Sequence, residues 1–136
     1  MTWYLSVQAP GEPADLGQLD DQGRIVYEFN ILVQKRGGGV FLDELVQVLE
    51  DAGVGQRRVD IFTSSLAGIP DGDGPFLTIR ETPGIGPTGT LQDPVAYRGP
   101  GAQILVRAAS KPAASAMAQQ AFVALLAVAN RDVVAA

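Results

Sequence analysis

The alternation of apolar and polar positions predicts two strands in the first quarter of the chain. Residues 2–8 place Trp3, Leu5 and Val7 on one face. The same period of two runs through residues 24–35, where one face is made by Ile25, Tyr27, Phe29, Ile31 and Val33. We expect these two strands to pair antiparallel, joined by a turn-rich loop over residues 9–23.

Two later segments repeat apolar residues at intervals of three and four, which is the spacing of an amphipathic helix. The first covers residues 41–52, with Asp43 and Glu44 in the first turn, where the helix dipole favours acids. Gly53 then suits a left-handed cap. The second helix follows Ser110 and runs to about Asn130, and its expected buried stripe consists of Met117, Ala118, Ala121, Phe122, Leu125, Leu126 and Ala129.

Three shorter runs predict strands at residues 58–63, 76–82 and 101–108. The first of them should turn Val59 inward, and residues 83–100 should form a long loop rich in proline and glycine. The element order, β-β-α-β-β-β-α, predicts a single α+β domain. In this domain a largely antiparallel sheet of about five strands carries two helices on one face.

A run of three glycines, Gly37–Gly39, joins the strongest strand to the first helix. Such a run is conformationally free and suits a flexible joint. The strand before the glycines resembles the last element of a domain, and the helix after them resembles the first element of one. Cutting at the glycines and joining Ala136 to Thr2 gives the order α-β-β-β-α-β-β. We therefore interpret the chain as a circular permutant: residues 1–36 are a C-terminal strand pair moved to the front, residues 37–39 are the linker, and residues 40–136 are the original N-terminal part.

Composition narrows the classes of function. The net charge is −5 and the ten basic residues are scattered, which argues against a surface for nucleic acid or anionic membranes. The chain has no cysteine and no histidine, so it lacks thiolate chemistry and the usual general base. No apolar run reaches the ~18 residues of a membrane span. We therefore expect no enzyme activity, no cofactor and no metal site.

Two short motifs resemble ligand sites but lack the required context. Gly84-Ile85-Gly86-Pro87-Thr88-Gly89 matches the spacing G-x-G-x-x-G, yet no helix is predicted after it and no acid lies about twenty residues on. Asp71-Gly72-Asp73-Gly74 resembles the start of a calcium loop, but Thr82 stands where that loop needs a bidentate Glu. We interpret the first motif as a surface loop and the second as a tight turn.

The acidic residues of the first loop do not require a functional explanation either. Asp15, Asp20 and Asp21 are expected to be solvated loop acids. Glu28 is more informative, because it lies within the strongest strand and shares its face with Asn30 and Gln34. That face should meet either solvent or another subunit.

Longer segments resemble a known family. Phe41-Leu42-Asp43-Glu44-Leu45 and the residues that follow to Gly55 resemble the opening helix of tail terminator (tail completion, or minor capsid) proteins of long-tailed bacteriophages. Residues 76–84 are similar to a strand of that family that ends in an R-E-T-x-G type sequence. Residues 103–108 and the Ala-rich helix after them resemble its central strand and second helix. Residues 3–8 and 23–35 resemble its last two strands, so the resemblance covers nearly the whole chain in permuted order.

The resemblance implies a structural role in the virion tail, assembled in the cytoplasm of a bacterial host. Members of the family form a hexameric ring on the end of the tail tube, stop its polymerisation and present a surface to the head connector. The implied partners are further copies of the chain, the tail tube protein and the head–tail connector protein, with no specific nucleic acid and no membrane. We expect the loops at 9–23 and 83–100 and their flanks to make the contacts, with the candidate residues Asp15, Asp20, Asp21, Arg80, Glu81, Gly84, Gly86, Gly89 and Arg98.

Other interpretations stay open at this stage. Residues 1–39 could be an N-terminal extension with its own hairpin, although an isolated two-stranded hairpin is marginal in water. The chain could be a related tail tube or head–tail connector protein, or a monomeric scaffold engineered from one; a joint made only of three glycines favours engineering. A small enzyme or ligand carrier that uses the glycine loop is a third class.

Overall fold

One mixed sheet and two helices make up the α+β fold, which confirms the predicted fold class. The computed structural model describes residues 2–19, 23–37, 39–63, 69–70, 72, 74–88, 97–129 and 131–133. The elements in chain order are β1 (Thr2–Gln8), β2 (Ala14–Leu19), β3 (Ile25–Arg36), α1 (Phe41–Asp51), β4 (Ile61–Phe62), β5 (Phe76–Thr88), β6 (Tyr97–Ala108), α2 (Lys111–Leu126) and β7 (Arg131–Val133).

β3 is the central strand of the sheet, whose strand order is β4-β5-β6-β3-β1-β7 with β2 also paired to β3. One edge of β3 pairs antiparallel with β6, from Ile25 opposite Ala108 to Leu32 opposite Gly101. Its other edge pairs antiparallel with β1 and β2, while β4 and β5 form a parallel pair. The first two predicted strands therefore pair as expected, and they are integral to the sheet rather than a separate hairpin.

The hydrophobic core lies between one face of the sheet and the two helices. α2 packs across β1, β3 and β6, and α1 packs beside α2. Phe29 of β3 meets Phe122 of α2 edge-on, with ring centroids 5.4 Å apart. Other inward residues of β3 include Tyr27, Ile31 and Val33. The helices thus cover one face, and the opposite face leaves Asn30, Leu32 and Gln34 of β3 exposed.

The helix ends follow the predicted local chemistry. Gly53, just after α1, has a φ of 75°, the left-handed conformation that glycine adopts without strain. Ser110 caps α2, because its side chain accepts a hydrogen bond from the backbone N–H of Ala113 at 3.3 Å. Both helices therefore begin within one residue of the predicted positions.

β1 buries different side chains from those that simple alternation predicts. Tyr4 is fully buried, whereas Trp3 is 36% exposed. The register of β1 against β3 shifts between Tyr4 and Ser6, which marks a bulge. The extra residue allows both Tyr4 and Val7 to face the core, so the prediction that Trp3 and Val7 share one face is wrong.

The described parts of the segment predicted as a loop over residues 83–100, which are residues 83–88 and 97–100, are strand. β5 continues to Thr88 and β6 begins at Tyr97, and their register shifts on both sides of Ile85. Proline and glycine lowered the local strand signal, but such irregularities in a ladder accommodate both residue types. The extended conformation of these residues depends on pairing between β5 and β6, and local sequence propensity carries no information about that pairing.

Three other boundaries differ from the prediction. The strand expected at residues 58–63 is reduced to β4, because Arg58 has a φ of 66° within a turn, and Val59 is consequently exposed. α2 ends at Leu126 rather than near Asn130, and Ala129 is exposed. β2 lies inside the predicted loop at 9–23, and β7 follows α2, so the sheet has two strands beyond the five expected.

Candidate interaction surfaces

The sheet face that the helices leave uncovered carries a row of polar side chains across its three central strands. Gln103 Nε2 on β6 donates a hydrogen bond to Glu28 Oε2 on β3 at 2.8 Å. Arg80 on β5 donates to Gln103 Oε1. One neutral amide thus connects a positive and a negative charge, so this row adds little net charge to the face.

Beside this row lies an area that we call the sheet patch, which consists of Trp3, Ser6, Gln8, Asn30, Leu32 and Gln34. The exposed Arg36 follows on the same face of β3 and is opposite Trp3, so one border of the patch is positively charged. Strand register places these residues together, because Gln8 is opposite Leu32 and Ser6 is opposite Gln34. Leu32 is 38% exposed. Its neighbour on β6 is Gly101, which has no side chain, so Leu32 stands above its surroundings on that side.

A buried polar cluster connects β1, β3 and α1 on the other side of the sheet. Lys35 Nζ and Glu44 Oε1 are 2.7 Å apart, and both side chains are almost fully buried. The hydroxyl of Tyr4 donates to the same carboxylate oxygen at 3.2 Å. Lys35 Nζ also lies 5.6 Å from the centre of the Phe41 ring, within the range of a cation–π contact. The cluster therefore joins the two sides of Gly37–Gly39 through side chains.

The cluster shifts the ionisation of its tyrosine. Burial of the phenol raises the pKa of Tyr4 far above its ordinary value of about 10, because the charged form would lose its hydration. The negative charge of Glu44 and its hydrogen bond with the hydroxyl raise that pKa further. Tyr4 is consequently a neutral hydrogen-bond donor over the whole physiological range.

Sequence reasoning assigned Glu44 only to the helix dipole and missed this cluster. A signal was present, because Glu44 follows Phe41 by three positions and precedes Val48 by four, which places it on the apolar stripe of α1. Lys35 likewise continues the inward series that includes Ile31 and Val33. An acid and a base that both fall on buried faces could have been recognised as a buried ion pair.

The structure disperses the candidate contact residues. Their positions are as follows: Asp15 lies in β2, Arg80, Glu81, Gly84 and Gly86 lie in β5, Arg98 lies in β6, and Asp20, Asp21 and Gly89 fall outside the described residues. Asp15 Oδ2 is 3.8 Å from Lys111 Nζ in an exposed ion pair, which adds little stability. Of the candidates, Arg80 alone belongs to the polar row.

The two glycine motifs serve local structure. A Cβ on Gly84 would lie 1.9 Å from the carbonyl oxygen of Gly99, so this glycine permits close approach of β5 and β6. Arg24 donates to the carbonyl oxygen of Gly72 at 2.9 Å, and Arg107 donates to that of Pro70 at 2.8 Å. These bonds attach the turn before β5 to the sheet; Asp71 and Asp73 lie outside the described residues.

Within the described ranges, no group of three or more acidic side chains is arranged to hold a metal ion. The helices of the same residues include none that is both long and apolar enough to cross a membrane. Comparisons with protein-family models, with curated proteins and with solved structures give no match for this chain.

Proposed function

We propose that this chain is a structural virion subunit of the tail terminator kind, with its segments in circularly permuted order. It assembles as a ring of copies that caps a tail tube and presents a surface to the head connector. The observation that carries the proposal is the position of β3. This strand resembles the last strand of the family, and it lies centrally in the sheet, where it pairs over most of its length with β6, a strand from a segment that resembles the family's first part.

The proposed permutation is supported by the pairing of β7 with β1. Thr2 is opposite Val133 in an antiparallel ladder, so the two strands are neighbours that run in opposite directions. Residues 134–136 would form a three-residue connection if Ala136 were joined to Thr2, and hairpins commonly use such lengths. The buried Lys35–Glu44 pair lies on either side of the glycines, where the original ends of the chain would have met.

Native mass spectrometry over a concentration series, combined with electron microscopy, tests the proposal. A closed ring, with six copies as the expected number, would support it. A chain that remains monomeric over the whole series would contradict ring formation and would favour a monomeric scaffold of the same fold.

A further inference from the structure

α2 has an unusual surface for a helix on the outside of a domain. No charged residue occurs between Lys111 and Arg131, although an outward helix face is normally charged or strongly polar. The side chains that α2 leaves exposed include Ala116, Gln119, Gln120 and Val123. Val123 is 58% exposed, more than any core position tolerates. This face of α2 is therefore both uncharged and partly apolar.

The same face forms one wall of a groove. Two adjoining cavities of about 340 and 640 Å³ run along α2, and Val54, Ala116 and Gln120 line both of them. The residues after α1 make the facing wall. We call this feature the α2 groove, and it is lined by Ala52, Gly53, Val54, Ala116, Gln120 and Val123. Asp60 borders the smaller cavity, where its carboxylate accepts a hydrogen bond from the backbone N–H of Gln56.

The α2 groove and the sheet patch lie on opposite sides of the molecule. α2 packs on the inner face of β1, β3 and β6, and its groove lies between α2 and the residues after α1, on the helix side of the sheet. The sheet patch occupies the outer face of the same strands. A domain with two different surfaces on separate sides can join head to tail, with one surface meeting the other on the next copy, and such a contact builds a ring where the rotation between copies closes.

Charge favours a second copy as the occupant. The chain carries a net charge of −5, so most approaches of two copies bring like charges together. The exposed face of α1, for example, carries Asp51. Contact between the sheet patch and the α2 groove avoids this repulsion, since the charges at their borders are opposite: Arg36 lies beside the patch and Asp60 beside the groove. Leu32 is a partly exposed apolar side chain, and the groove is concave with small residues along it, so the groove has room for such a side chain.

We infer that the sheet patch of one copy, centred on Leu32, docks in the α2 groove of the next copy, centred on Val123. This inference rests on the proposed ring-forming function and names the surfaces that build the ring. Two variants test it, Leu32→Lys and Val123→Lys. Each places one unpaired positive charge at the centre of one surface and leaves the other surface unchanged.

Each variant alone should raise the concentration at which half of the chain is assembled by about a hundredfold or more, since an unpaired charge would be desolvated in the contact. Mixed in equal amounts, the two variants should form heterodimers that grow no further. The natural patch of the Val123→Lys copy binds the natural groove of the Leu32→Lys copy. The two substituted surfaces remain, and a contact between them would bring two lysines together. Matched controls are Leu16→Lys and Val40→Lys, whose wild-type side chains are 37% and 64% exposed and lie off both surfaces.

Native mass spectrometry and thermal unfolding separate the outcomes. Folded variants that lose assembly singly and give one-to-one dimers when mixed would support the inference. Rings that persist in both variants would overturn these surfaces while leaving the proposed function in place. Loss of assembly in Val123→Lys alone would also overturn them, since it indicates a contact of α2 with itself. A wild-type chain that never associates would contradict the proposed function as well.

Discussion

Gly84 illustrates a position where the path of the backbone determines the residue type. Its neighbour across the strand pair is so close that a methyl group would meet the carbonyl oxygen of Gly99 at 1.9 Å. Two non-bonded atoms cannot approach so closely, and the clashing atom belongs to the backbone rather than to the end of a flexible side chain. The requirement for glycine therefore comes from the pairing of β5 with β6.

Replacing Gly84 with Ala should reduce the free energy of unfolding by about 1–3 kcal/mol or more, because the two strands must separate locally to admit the methyl group. Urea denaturation measures the change. Gly11→Ala is the matched control: no atom lies within 4 Å of its added Cβ, so a change within about 0.5 kcal/mol is expected. Equal effects of the two substitutions would show that the close approach at Gly84 is absent in solution.

Tyr4 should make the stability of the protein depend on alkaline pH. Its pKa is raised in the folded state, so above pH of about 10 the unfolded chain loses the phenolic proton while the folded chain keeps it. The unfolded state then binds fewer protons, and the free energy of unfolding falls as pH rises. Tyr4→Phe should show a smaller decline above that pH. Unfolding titrations at a series of pH values test this, and parallel declines in the two proteins would refute it.

At the scale of elements, the cluster of Tyr4, Lys35 and Glu44 fixes how α1 sits on the sheet. Each of its members comes from a different element, and all three are buried. A buried ion pair contributes little net stability relative to apolar packing, because both charges lose their hydration. Its members depend strongly on one another, however, since a single remaining charge would be buried without compensation.

This mutual dependence predicts a non-additive series. Glu44→Leu should destabilise the fold by about 3–5 kcal/mol, because it leaves Lys35 buried without its acid. The triple variant Tyr4→Phe, Lys35→Met, Glu44→Leu should recover most of that loss, since no polar group is left without a partner. Chemical denaturation of both variants gives the comparison. A triple variant less stable than Glu44→Leu would show that the cluster stabilises the protein through its charges.

The prediction of elements succeeded where one face of an element is continuously buried. The long alternation of β3 and the helical spacing in α1 identified both elements, because burial of one face produces a local periodic signal. β5 beyond Thr82 and the short strand β7 gave no such signal, since their conformation depends on pairing with distant strands. The candidate contact surfaces were harder to predict from the sequence than the strands. Exposure of the sheet face could be expected from Glu28 and Asn30, but the α2 groove depends on how α1 ends beside α2.

At the scale of the whole molecule, residues 2–36 are structurally continuous with the rest of the domain. β3 pairs with β6 over most of its length, and β1 holds β7 at its far edge. The domain therefore has one core, and no part of the sheet can be removed as an independent unit. Only the connections between elements are free to change.

A chain opened within Gly37–Gly39, with Ala136 joined directly to Thr2, should consequently fold to the same sheet. The change preserves every described strand pairing and replaces one loop by another. Circular dichroism and the cooperativity of thermal unfolding test the expectation, with the present chain as the reference. A molten or aggregated product would contradict the proposed permutation.

The central position of β3 also affects how the chain folds while it is being synthesised on the ribosome. β3 leaves the exit tunnel with only β1 and β2 available, and β6 follows about 70 residues later, which at ~5–20 residues per second is a delay of several seconds. During that time the apolar face that includes Phe29 and Ile31 has no helix over it. Translated in the rejoined order, the same strand would emerge last, after the other strands and both helices. The order of segments therefore determines how long the nascent chain needs protection from aggregation.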